Sequence, residues 1–581
     1  MKQLVFCDLD LCVGCNRCVR NCPNEMANVA TLDADGKIKV DVAPDKCIAC
    51  GACINVCQHG ARSYLDNLDM FINDLRKGVK LTVMIAPAIR ANMGDVGRLV
   101  AWLKSVGAYK VYDVSLGADL CIWGHVRYLQ AHPNVKIITQ PCPSIVNYIT
   151  MYKPNLLSHL SPVHGPMLSA AVLIKKYEKI DAPIAAISPC IAKINEFEST
   201  GLIKYNITFE KLFKYIKEHG ITLPDKPADF DHYRCGFGSV FSQPGGLKEN
   251  LEFFLGKTLR IDRAEGPQTV YKLLDEYGEQ PRGNLPDVFD VLNCAEGCNV
   301  GPAAGFNNNF FTTNRAMDKA RDDAAEGRGY EYFNDLYKKY DERFNLDHFL
   351  RSYKPTPVFV QKITEAEMEK AYIQLNKTTD QQRKFDCSAC GSDTCREMAR
   401  KIALHVNIPE NCMQSSREKT EAGHRALEKL NRANTENSSK LEKDIDLIKD
   451  AVEKIWVNLG TVNSSITGFS TVEQTINNIA SMINMIAINA SIEAARSGQA
   501  GKAFSVIAVE IQNLAKSAQE TLKDSHIVVS SATSSVGEMT GFMKRILVMV
   551  SEAYENIQEI NRVNQETADN PALEYASVQA L

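Results

Sequence analysis

Hydrophobic and polar positions follow different periods along this 581-residue chain, and the changes of period mark its organisation. Across residues 76–360, short apolar runs such as KLTVMIAPAI, VKIITQPC, PIAAISPC and PDVFDVLNC alternate with amphipathic stretches. Apolar runs of that length predict buried strands, and their alternation with helical patterns predicts an α/β domain. Residues 361–380 are charged and read as a linker, which leads into a short cysteine-bearing module ending near 420. From 421 to 581 cysteine disappears, aromatics thin out and the apolar repeat becomes heptad. One series runs Leu441, Ile448, Ile455, Val462, Phe469, Ile476, Ile483; its companion runs Ile445, Val452, Leu459, Ile466, Ala480, Ala487, broken once at Glu473. After a glycine-rich stretch two matching series resume, from Phe504 to Ile560 and from Ala508 to Ile557. Two heptad arms about a short centre predict a long antiparallel α-helical coiled-coil hairpin, a rod of roughly 100 Å at 1.5 Å per residue. Small residues near its turn favour a four-helix bundle formed by a homodimer.

Composition narrows the chemistry. A formal net charge of −4 supplies no basic field for nucleic acid. No run of about 18 apolar residues appears, so no membrane span is expected. The start, MKQLVFCDLDLC, shows no export signal, and the expected location is the cytoplasm. Nineteen cysteines in such a chain argue for metal rather than disulfides.

Residues 1–75 carry a doubled pattern, C-x2-C-x2-C-x3-C, at Cys12, Cys15, Cys18, Cys22 and again at Cys47, Cys50, Cys53, Cys57. The tight loop wraps three corners of a cube and the fourth thiol crosses to the other cluster. One 4Fe-4S cluster therefore takes Cys12, Cys15, Cys18 and Cys57, and the other takes Cys47, Cys50, Cys53 and Cys22, in an α+β bacterial-ferredoxin fold. A third set, Cys387, Cys390, Cys395 and Cys412, reads C-x2-C-x4-C-x16-C. One turn plus one returning thiol can enclose a further 4Fe-4S cluster, with zinc as the alternative.

Cys294 and Cys298, in DVLNCAEGCNVGPAAG, form a C-x3-C pair that zinc or plain packing would explain about as well as a cluster. Cys142 in TQPCPSIVNY and Cys190 in ISPCIAKINE add two thiols at predicted strand ends. These three segments resemble the signature segments of the iron-only hydrogenases, and the resemblance covers 76–360. It implies a two-lobed α/β domain in which Cys142, Cys190, Cys294 and Cys298 hold a 4Fe-4S cube. The last of these would bridge to a two-iron site bearing CO and CN ligands. It also implies that Ala86–Pro87 packs against that site, that Lys193 points inward to donate to a cyanide, and that Glu196 belongs to the same segment. The departures are specific. Pro141 stands where catalytic members carry a proton-relaying cysteine, Ser188 replaces a methionine, and Leu292 replaces another. His125 and Tyr128 align with the glutamates of the proton path, and the glycine run is broken at Gly301–Pro302–Ala303. The cluster ligands are spared and the proton machinery is lost, as in the sensory branch of the family.

The hairpin centre, INMIAINASIEAARSGQAGKAFSVIAVEIQNLA, resembles the signalling tip of methyl-accepting chemotaxis proteins, with Glu493 to Arg496 reproducing its E-A-A-R. The resemblance implies a histidine kinase and its coupling protein as partners. Met485, Ile488 and Val506 would face that assembly, and Glu493 and Arg496 would lie at a receptor trimer contact. Ser481, Gln499 and Ala503 depart from the family pattern, and Glu566 and Glu574 are the methylation candidates. The whole reads as a dihydrogen or redox sensor with slow hydrogenase activity, exchanging dihydrogen and protons, with ferredoxin as a candidate electron partner. The alternatives are a catalytic hydrogenase with a dimerising coiled coil, and a cubane-only redox or oxygen sensor.

Overall fold

A computed structural model of the chain describes residues 2–232, 235–305 and 309–569. The chain divides into two compact units, 1–416 and 417–581. Glu574 lies outside the described residues.

The first unit opens with two small antiparallel ribbons. β1 (Val5–Cys7) pairs with β4 (Arg62–Tyr64), and β2 (Asn28–Leu32) pairs with β3 (Ile38–Val42). Short helices at Arg17–Asn21 and Ala52–Asn55 follow the two cysteine loops, each entered through a left-handed residue, Asn16 and Gly51. A Cβ on Gly51 would come within 2.3 Å of Pro302, so only glycine lets this loop seat against the following domain.

Two parallel sheets build that domain, as the alternating apolar runs predict. The first is ordered β6 (Ala108–Asp113), β5 (Leu81–Ile85), β8 (Ile184–Ser188), β9 (Tyr205–Thr208). The second is ordered β10 (Ile261–Glu265), β11 (Val288–Leu292), β7 (Ile137–Ile138). Every residue of β5, β8 and β11 is buried. Helices cover both faces of a parallel sheet, which is why these strands read as continuous apolar runs rather than as alternation. Parallel order also brings the C-terminal strand ends to one edge, and the segments leaving β5, β7, β8 and β11 are those that carry Ala86–Pro87, Cys142, Cys190, and Cys294 with Cys298.

The expected linker at 361–380 is corrected by the structure. Thr364 and Glu367 form a reciprocal capping box that starts a helix at Glu365–Gln374. Met368, Ala371, Tyr372 and Leu375, spaced as one helical face, are buried against Met398, Ile402, Cys390 and Cys412. The charged residues mask this stripe in the sequence.

In the second unit, a helix entering it spans Met413–Arg496, 84 residues, and a second spans Lys502–Asp569, 68 residues. Between them lies a 3-10 turn, Gly498–Gly501. A Cβ on Gly501 would meet the Ala494 carbonyl at 2.2 Å, which fixes glycine there. Gln519 donates to Ser481, and Gln558 to Glu442, pairs whose residue numbers have a constant sum, as oppositely running segments require. Ile445, Val452, Leu459, Ala480 and Ala487 are buried, facing a set that includes Ala508, Ala515, Met543 and Ile557. The other stripe, from Leu441 to Ile483, stays exposed. Among the described residues, no helix is long and apolar enough to cross a membrane.

Candidate functional site

Four thiols from three strand ends meet at one cavity. Cys142, Cys190, Cys294 and Cys298 line one small cavity, together with Cys50 from the second ferredoxin-like loop. A second small cavity adjoins it, with Ala86, Pro87, Ser188 and Phe241 in its wall. The two share Pro141, Pro189, Cys190, Lys193, Leu292 and Cys298.

Polar contacts fix each thiol-bearing loop. The Cys190 backbone N–H donates to Ser188 Oγ at 3.3 Å, Ser188 Oγ donates to Asn206 Oδ1 at 3.0 Å, and Asn206 Nδ2 donates to the Cys190 carbonyl at 2.9 Å. Ser188, expected among the reactive residues, thus braces a ligand loop. The Cys298 N–H donates to the Ser242 carbonyl at 2.8 Å, and Ser242 Oγ donates to Asn299 Oδ1 at 2.7 Å. Gly297 holds φ +70, and a Cβ there would strike the Ser242 carbonyl at 2.3 Å. Asn293 Nδ2 donates to the Cys50 carbonyl at 3.0 Å, and Tyr271 Oη donates to Asn293 Oδ1 at 2.8 Å. Sequence reasoning missed Asn206, Asn293 and Tyr271; of these only Asn293, beside Cys294, had any local signal.

The donor set fits an iron–sulfur group. Burial pushes the Cys190 thiol up to about 12 and Cys298 up to about 11, and raises Cys294 further. Such thiols become thiolates only when a metal supplies the charge. Among the described residues, no three Cys, His, Asp or Glu side chains converge closely enough to hold a single metal ion. Thiols sharing one zinc at ~2.3 Å would have to crowd together, whereas those at the corners of a cube stand apart.

Lys193 is buried with Glu196, its ammonium donating to Glu196 Oε2 at 2.6 Å and to the Pro141 carbonyl at 3.2 Å. Burial works against its charge, but Glu196 and the neighbouring thiols outweigh it and hold its pKa up. His125 is fully buried, with Nδ1 2.8 Å from the Cys121 carbonyl and Nε2 3.0 Å from Ser161 Oγ. Burial depresses it to about 4.

Three parts of the chain match known protein families. Residues 79–302 match the C-terminal domain of the iron-only hydrogenase large subunit, residues 11–61 a 4Fe-4S dicluster domain, and residues 428–573 the methyl-accepting chemotaxis protein signalling domain. The chain thus joins an iron-only hydrogenase-like domain and a 4Fe-4S dicluster domain to a methyl-accepting chemotaxis signalling domain. Its hydrogenase part is 26% identical to the NADP-reducing hydrogenase subunit HndD of Solidesulfovibrio fructosivorans, over 44% of this chain and 52% of the relative. It is 28% identical to iron hydrogenase 1 of Clostridium pasteurianum, over 42% and 49%. This chain thus spans about half the length of these hydrogenases. Its transducer part is 30% identical to the methyl-accepting chemotaxis protein PctB of Pseudomonas aeruginosa, over 24% and 25%. Among solved structures, a hydrogenase from Chlamydomonas reinhardtii aligns over 51% of this chain and 100% of its own, at 18% identity and a TM-score of 0.41.

The remaining cysteines of the fusion also cluster. Burial raises the Cys22, Cys50 and Cys53 thiols, and the charges of neighbouring thiols add to it, Cys22 acting on both Cys50 and Cys53. Cys12 and Cys15 act likewise on Cys18, whose Sγ accepts from Arg62 at 3.2 Å. Cys390 feels Cys387 and Cys412, and the Cys395 N–H donates to Asp386 at 2.6 Å. At the transducer tip, Met485 and Val506 are 65% and 69% exposed, Ile488 is 37% exposed, and Glu493 pairs with Arg496 at 3.8 Å.

Proposed function

We propose that this fusion is a cytoplasmic dihydrogen sensor that turns over slowly and signals to a chemotaxis-type histidine kinase and its coupling protein. The observation that carries this reading is the pair of adjoining cavities, joined through Cys298 and Lys193, in a chain that continues into a transducer. The first cavity suits a 4Fe-4S cube on Cys142, Cys190, Cys294 and Cys298. The second suits a two-iron group with CO and CN ligands, with Cys298 as the bridge. When bound, that group supplies the redox chemistry that parts dihydrogen into protons and electrons.

The chain's own residues set the conditions. Ala86, Pro87 and Phe241 give the second cavity apolar walls, and Lys193 presents a fixed positive charge to its wall. Pro141 has neither a side-chain donor nor a backbone N–H, so nothing at that position moves a proton. His125, neutral above about pH 4 and engaged at both ring nitrogens, does not replace the missing acid. Slow proton exchange suits a sensor, because the occupied state then outlasts the motion that reports it.

Domains are assigned at 1–75 for two ferredoxin-like 4Fe-4S clusters, 76–360 for the hydrogenase core, 361–420 for a further 4Fe-4S module and 421–581 for the antiparallel signalling hairpin. Ferredoxin is the candidate external electron partner. The exposed stripe from Leu441 to Ile483 supports a homodimer, since a monomer would leave it in water. Infrared spectroscopy of protein matured with the two-iron group tests the reading. Bands of bound CO and CN are expected; their absence would leave a cubane-only redox sensor. Rates of hydrogen evolution equal to those of catalytic hydrogenases would leave a working enzyme.

A further inference from the structure

Cys50 lines the hydrogenase cavity, so the second ferredoxin-like cluster is the near one. The first ferredoxin-like loop meets the C-terminal module instead. Asn16, between Cys15 and Cys18, donates from Nδ2 to Asn411 Oδ1 at 2.6 Å, and Asn411 directly precedes Cys412. Asn16 holds the left-handed conformation at φ 57 to make this reach. Ile408 packs against the cluster of Val19, Ala30 and Val40 that also receives Cys12 and Cys18, the Ala30 N–H donates to the Val406 carbonyl at 3.1 Å, and Arg400 pairs with Glu25 at 3.0 Å.

Cys412 is the residue on which the long helix starts. Its backbone is extended at φ −79, ψ 98, and its carbonyl accepts the first helical hydrogen bond, from the Ser416 N–H at 2.9 Å. On the opening turn, Ser415 is buried and its hydroxyl has no protein partner, a group that a ligand's sulfur would satisfy.

We propose that the cluster held by Cys387, Cys390, Cys395 and Cys412 is the terminal electron acceptor of the chain and the switch that sets the start of the signalling helix. This rests on the sensor reading above. Each dihydrogen yields two protons and two electrons. One electron lowers the core of this cluster from 2+ to 1+, and the other remains on a ferredoxin-like cluster. The added negative charge sits at the positive end of the helix dipole and stabilises its first turns. By reciprocity, whatever frays those turns makes the cluster harder to reduce.

Hydrogen exchange of residues 413–430 in the full-length holoprotein tests this, with electron paramagnetic resonance reporting which clusters are reduced. Reduction by dithionite is expected to slow exchange there about threefold. The same change under dihydrogen supports both the switch and the sensor reading. A change with dithionite but none under dihydrogen upholds the switch and defeats the dihydrogen reading. A reduced cluster with unchanged exchange overturns the switch. Cys387→Ser removes the cluster from the side away from the helix, and Cys412→Ser removes it at the helix. Loss of the response in Cys387→Ser is expected, and a response that survives loss of the cluster overturns the proposal.

Discussion

The ammonium of Lys193 holds the carbonyl oxygen of Pro141 at 3.2 Å while it binds the Glu196 carboxylate at 2.6 Å. One buried cation therefore ties a ligand loop to a helix beneath both cavities. Glu196→Leu leaves that cation without its partner, and breaking a buried pair from one side costs about 3–5 kcal/mol. The double change Lys193→Met with Glu196→Leu should recover most of the loss, because neither charge is then stranded. Denaturant unfolding of wild type and the two variants, followed through the cluster absorbance, checks this. A double variant as weak as the single one would show that packing, not charge, is at stake.

On the proposed reading, Pro141 is what limits turnover. Proton movement between the second cavity and water needs a titratable group within hydrogen-bond reach. Wild-type protein should evolve hydrogen at least about a hundredfold more slowly than catalytic relatives, about 2.7 kcal/mol in barrier. Pro141→Cys restores a thiol and should recover only part of this, since His125 still stands where an outer carboxylate would be. Assays with a low-potential dye give the comparison. No gain in Pro141→Cys would place the bottleneck elsewhere.

Of the four strand-end thiols that line the first cavity, spacing alone links Cys294 with Cys298, and only the family resemblance adds Cys142 and Cys190. The α/β order was legible because fully buried parallel strands cannot hide their apolar runs. Lys193 and Glu196 sit three apart on one helix, so their proximity was readable, but the Pro141 carbonyl that completes the contact is brought there by folding alone. Asn16 and Asn411, 395 positions apart, could not be paired from sequence. The helix at Glu365–Gln374 was missed because its four charged residues outnumber its three buried ones.

His125 gives the first unit a specific acid sensitivity. Above about pH 6.5 it is neutral folded or unfolded and adds nothing to the pH dependence. Burial holds the folded pKa near about 4, so between these values only the unfolded chain takes up the proton. Stability therefore falls as pH drops through this window, by about 2 kcal/mol at pH 5 for this one group, and levels off below pH 4. His125→Gln should flatten the slope of the denaturation midpoint between pH 7 and 5. An unchanged slope would mean that other groups carry it.

Glu473 occupies the heptad stripe that Ile445, Val452 and Leu459 begin, and it is buried with both carboxylate oxygens unpaired. Its nearest cation is His526, 3.7 Å away and charged only when protonated. Glu473→Leu should stabilise the helical unit by about 1–3 kcal/mol, the cost of a buried polar group without a partner. Thermal unfolding followed by helical circular dichroism reads this. Destabilisation would show that a second chain satisfies Glu473 in the dimer.

At the transducer tip the ion pair Glu493–Arg496 spans 3.8 Å between two exposed side chains, 69% and 79% open to solvent. A pair so exposed contributes at most about 1 kcal/mol to folding. Its removal by Glu493→Ala with Arg496→Ala should therefore leave helicity and oligomeric state unchanged. Neither residue lies near the clusters in sequence, so infrared bands, cluster spectra and hydrogen evolution should match wild type. On the proposed reading, control of the kinase by dihydrogen should nevertheless disappear, because this pair and the exposed Met485 and Val506 belong to the proposed signalling tip. Reconstituted phosphorylation of the kinase, with and without dihydrogen, separates the two functions. If control survives with both side chains gone, the signal leaves the molecule by another surface.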